Sequence, residues 1–89
     1  MSTPIDAVLA AVRAKVAGAR VSRLAVTHPA DDDNVWFIET ASGAAEVQVD
    51  SHPNGQPPFL IETDQHRQVT AVTVEEAIDV IERWLLAAQ

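Results

Sequence analysis

Three histidines, thirteen carboxylates and the run Asp50-Ser51-His52 are the residues in this chain whose types could do chemistry. Ser, His and Asp make a hydrolase triad only when separate segments bring them head to tail, and three consecutive residues at a strand end point in different directions. The triplet therefore passes no proton. His28, Asp31, Asp32, Asp33 and Asn34 gather hard oxygen donors of the kind Ca²⁺ or Mg²⁺ takes. Counted from Asp31, a calcium loop needs an oxygen ligand, then Gly, then a distal Glu, where this chain has Val35, Trp36 and Ser42. The cluster reads as a solvated turn with local Asx hydrogen bonds. His28, His52 and His66 form no i,i+4 pair and no His-Glu motif, so neither a metal nor a cofactor is expected.

Glu39 and Glu62 fall on neighbouring strand positions, but the carboxylate pairs of glycosidases work in clefts and these are expected on an open face. No Gly-x-Ser-x-Gly elbow, phosphate-binding loop or dinucleotide fingerprint occurs, and three glycines in all leave little for a nucleotide cradle. The most distinctive segment runs from His52 to Glu62. Asn54-Gly55 suits a positive φ and Pro57-Pro58 stiffens the return, a combination that sets the entry of a strand. A small-molecule binder or enzyme would have to present His52 and Gln56 from this loop together with His28 or His66.

The elements that position these residues follow from composition and periodicity. Eighty-nine residues bound a single domain over 1–89. Of the 47 % hydrophobic residues fifteen are Ala, so the core rests on a modest set of Val, Ile, Leu and aromatic side chains. Thr3-Pro4-Ile5-Asp6 has the form of a helix start, and Ile5, Val8, Leu9, Val12 and Val16 make one stripe of a helix over residues 4–17, closed by Gly18. Ala7 to Val12 lacks a preceding basic region and is interrupted by Arg13 and Lys15, so it reads as mature sequence rather than a signal segment. Thr73-Val74-Glu75-Glu76 fits a capping box and opens a second helix to about Ala87, with Val74, Ala77, Ile78, Ile81, Trp84 and Leu85 on its inner face. Asp79 and Arg83 are spaced for an i,i+4 pair.

Between the helices lie β-branched and aromatic runs separated by turn residues. They read as strands Val21–Thr27, Val35–Thr40, Ala45–Asp50 and Pro58–Thr63, with residues 68–72 a short fifth strand or an extended lead. The expected fold class is α+β: a two-layer domain with an antiparallel sheet of about four strands flanked by an N-terminal and a C-terminal helix.

A turn at Ser42-Gly43 sets Thr40 opposite Ala45, Ile38 opposite Val47 and Trp36 opposite Val49 on the core face, joined by Phe59 and Ile61. The other face then holds Val35, Phe37 and Glu39 beside Glu46, Gln48 and Asp50, with Leu60, Glu62 and Asp64 from the fourth strand. A slip of one residue would exchange the faces, and Arg67 or a loop could cover the apolar centre. Apolar residues rimmed by charge suit protein contact. The candidate protein-binding residues are Val35, Phe37, Glu39, Glu46, Leu60 and Glu62.

Net charge sharpens the expected partner. The chain carries −7, and residues 24–89 hold twelve of the thirteen acids, so phosphate backbones and anionic membranes would be repelled. Nucleic acid and membrane are thereby disfavoured. With no Cys there is no disulfide framework or thiolate site, which fits a reducing, cytoplasmic setting. The sequence alone thus favours a non-enzymatic domain acting by protein contact, as a homodimer or as an adaptor or regulator. The alternatives are an immunity-type inhibitor that masks a basic active site, or a small-molecule site at the His52–Gln56 loop.

Overall fold

The computed structural model describes residues 3–24, 34–63 and 67–87. Helix α1 (Pro4–Lys15) leads into strands β1 (Arg20–Arg23), β2 (Val35–Glu39) and β3 (Glu46–His52). A 3₁₀ turn over Pro53–Gly55 connects to β4 (Gln56–Thr63) and β5 (Gln68–Ala71), and helix α2 (Val74–Ala87) closes the order. The five strands form one antiparallel meander in the order β1-β2-β3-β4-β5. Both helices cover one side of it, giving a two-layer α+β domain.

Local chemistry starts each helix. The Thr3 N–H and the Thr3 hydroxyl both donate to Asp6 Oδ2 at 2.9 Å, and Pro4 occupies the first turn, where its missing N–H costs nothing. These hydrogen bonds hold the Asp6 carboxyl below the ordinary aspartate range, with the backbone N–H the larger cause. At α2 the Glu76 N–H donates to Thr73 Oγ1 at 3.1 Å, and Asp79 meets Arg83 at 3.1 Å on the exposed side. Helix α1 ends two residues before the expected limit, because Val16 is already extended and caps the helix through its N–H to the Val12 carbonyl.

The expected stripe of α1 is buried in full, and α2 buries Ala77, Ile81 and Leu85 as its period predicts. The α2 face is rotated relative to expectation. Val80 is buried, whereas Ile78 and Trp84 are only half-buried, and the Arg67 guanidinium lies over the Trp84 ring at 4.7 Å from its centroid. Across the sheet, Trp36 pairs with Val49 and Ile38 with Val47, as the hairpin reading requires. Thr40 is buried among them, and its Oγ1 accepts the Ala45 N–H at 3.3 Å, so the hydroxyl is satisfied.

Strand limits differ from expectation in two places. β3 continues to His52 and β4 starts at Gln56, so the expected loop Ser51–Pro57 contracts to a single 3₁₀ turn. Asn54 and Gly55 supply the positive φ values, 66° and 70°, that reverse the chain in so short a span. Gly55 also lies against α1: a Cβ there would stand 2.6 Å from both Ile5 Cγ2 and Thr3 Oγ1. The loop is thereby packed under the helix start. Residues 68–71 are a true edge strand rather than a lead. The end of the expected first strand and all but Asn34 of the polar turn that the sequence places at Pro29–Asn34 lie outside the described residues.

Candidate protein-contact face

Among the described residues no helix lies on the second face of the meander. Side chains alternate along a strand, so the register that buries Trp36, Ile38, Val47, Val49, Phe59 and Ile61 fixes what the opposite side presents. Ser22 pairs with Phe37, Phe37 with Gln48, Gln48 with Glu62 and Glu62 with Gln68, making one row across all five strands. A second row runs Val35, Asp50, Leu60 and Thr70. A third sets Arg20 beside Glu39 and Glu39 beside Glu46. All six candidate residues therefore share one face, as the expected register places them.

Val35, Phe37 and Leu60 are half-buried among their neighbours, with the carboxylates around them. Arg20 pairs with Glu39 and lies 3.4 Å from the Thr40 carbonyl, and Gln48 Nε2 donates to Asp50 Oδ1 at 2.9 Å. Arg67 does not cover the apolar centre, since its guanidinium stacks on Trp84 in the helix layer. Asp64, expected at this face, lies outside the described residues. Sequence reading missed the two outer strands' contributions: Arg20 and Ser22 from β1, and Gln68 and Thr70 from β5. Leu24, 40 % exposed with its N–H on the Val35 carbonyl, extends the same side. Alternation within each strand carries that signal, but only once the strand pairings are known.

The other candidate chemistries find less support among the described residues. Ser51 is buried and its hydroxyl donates to the His52 carbonyl at 2.9 Å, while His52 is exposed, so the two are not aligned for proton transfer. His52 and Gln56 are cross-strand partners at the hairpin end, and a hollow of about 390 Å³ beside them is lined by His52 but not Gln56. His28, His66 and Asp31 to Asp33 lie outside the described residues. No three His, Asp or Glu side chains among the described residues gather as a metal site, and no described helix is long and apolar enough to cross a membrane. Comparison with family models, curated proteins and solved structures finds no match to this chain.

Proposed function

We propose that this protein acts by protein contact rather than catalysis, using the open sheet face to hold a basic partner. The observation that carries the reading is a sheet face that no other described residues cover, on which Val35, Phe37 and Leu60 sit with, among the described residues, four carboxylates, Glu39, Glu46, Asp50 and Glu62, and one cation, Arg20. Apolar centres exclude water and supply affinity, while surrounding charge selects the partner and speeds encounter. Apposing two copies of this face would set like charge against like, so a basic protein fits better than a second copy. An inhibitor masking a basic active site belongs to this class. The cysteine-free composition agrees with work in a reducing compartment.

The test is cross-linking and mass spectrometry in a native extract, with wild type and Phe37→Glu run in parallel. A basic protein cross-linked to β2–β4 of the wild type and lost from Phe37→Glu supports the reading. Equal capture by both proteins, or contacts confined to the helix layer, overturns it.

A further inference from the structure

Among the described residues the open face sets its apolar side chains toward one end of the strands and its carboxylates without a partner toward the other. At one end Val35 and Leu60 flank Asp50, whose Oδ1 accepts from Gln48 Nε2, and Leu24 adjoins Val35; Phe37 lies one row further on, in the row that also holds Glu62. At the other end stand Glu39 and Glu46, directly opposite each other, with Glu62 in the row between. At about 3.3 Å per residue, the Val35 row and the Glu39 row are roughly 13 Å apart. Arg20 pairs with Glu39. Glu46 and Glu62 make no ion pair or hydrogen bond among the described residues, and the gap they line with Gln48 and Thr63 has a volume of about 140 Å³. Like charges directly opposite across a strand pair are unfavourable, so the Glu39–Glu46 position gains when a second cation arrives.

Resting on the proposed function and deepening it, we infer that the partner element seated here is a cationic amphipathic helix. Its apolar side chains cover Val35, Phe37 and Leu60, and its Lys or Arg side chains reach Glu46 and Glu62. The backbone groups of β2, β3 and β4 are paired within the sheet, so the face offers side chains only, and an added strand would have to bind at an edge. An element that covers a face must satisfy its own backbone, as α1 and α2 do on the other side of the same sheet. A helix rising 1.5 Å per residue spans the roughly 13 Å between zones in about nine residues, little more than two turns. The charge of the acidic zone sets the sign of the helix's polar residues.

Two synthetic 15-residue peptides of identical Leu and Lys content test this, one ordered with helical period and one strictly alternating, titrated calorimetrically into the full chain at low and at physiological salt. The helical-period peptide is expected to bind at least about tenfold more tightly than the alternating one. Phe37→Ser and, separately, the pair Glu46→Gln and Glu62→Gln should each weaken it about tenfold, with only the wild-type acidic zone giving the full salt dependence. A thermal midpoint unchanged in the Glu46→Gln and Glu62→Gln pair, and a Phe37→Ser chain still fully folded at the titration temperature, would confirm that the loss is at the face. Equal affinity for the two peptides, tighter binding of the alternating one, or no binding would each overturn the helix. Capture of a native basic partner that Phe37→Glu abolishes would still uphold protein contact, so the two ideas fail separately.

Discussion

Phe37 and Ile38 are chain neighbours with opposite duties, and the contrast makes the face assignment measurable. Ile38 is fully buried, so Ile38→Ala should cost about 2–5 kcal/mol in urea denaturation, combining lost transfer energy with a cavity. Phe37 is half-buried on the open side, and Phe37→Glu should cost only about 1–2 kcal/mol while removing association. A loss as large as that of Ile38→Ala would place Phe37 in the core. Ile81 and Trp84 make a similar pair on α2. Ile81→Ala should fall in the same 2–5 kcal/mol range, whereas Trp84→Ala should cost about 2 kcal/mol, below the value for a fully buried Trp, because the residue is only half-buried and its ring is topped by Arg67. Sequence periodicity put Trp84 on the inner face. It could not say that the guanidinium of Arg67, just ahead of β5, would lie over the ring.

At the scale of elements, the helix starts carry their own chemistry and were legible in the sequence. Thr73→Ala should lower stability by about 1 kcal/mol by releasing the Glu76 N–H, read as a shift in the chemical-denaturation midpoint with unchanged slope. Asp6 at α1 adds a pH dependence whose sign follows from its lowered folded pKa. Its contribution is complete above the ordinary aspartate value of 3.8 and is lost as pH falls through the lower folded value. Thermal midpoints measured from pH 6 downward should therefore fall less steeply on the acid side in Asp6→Asn than in wild type. The strand cores were legible for the same reason: alternation is local, and the short β2–β3 turn fixes one register. The limits of β3 and β4 were not. Pro and Gly between His52 and Pro58 look like loop, and only pairing across the hairpin, with Gly55 pressed against Ile5 and Thr3, draws Ser51, His52 and Gln56 into the sheet.

Considered whole, the molecule has, among its described residues, one sheet, one helix layer on one side of it, and a second sheet face that no described helix covers. Its chain carries −7, and its open face joins apolar centres to Glu46 and Glu62, which have no ion pair or hydrogen bond among the described residues. Sedimentation equilibrium from about 1 to 100 µM, a span that brackets micromolar affinities, should return a monomer at every concentration. A dimer dissolved by Phe37→Glu would instead assign the face to self-association. The amino-acid sequence by itself determined the α+β class, the two helix starts, the inner stripe of α1 and the side of each central strand that is buried, because caps, turns and periodicity act over a few residues. Only the tertiary structure decided the rest. Which α2 side chains are buried, how β1 and β5 join the row through Phe37, and where Arg67 lies all depend on contacts between segments distant in the chain, and no local pattern encodes those pairings.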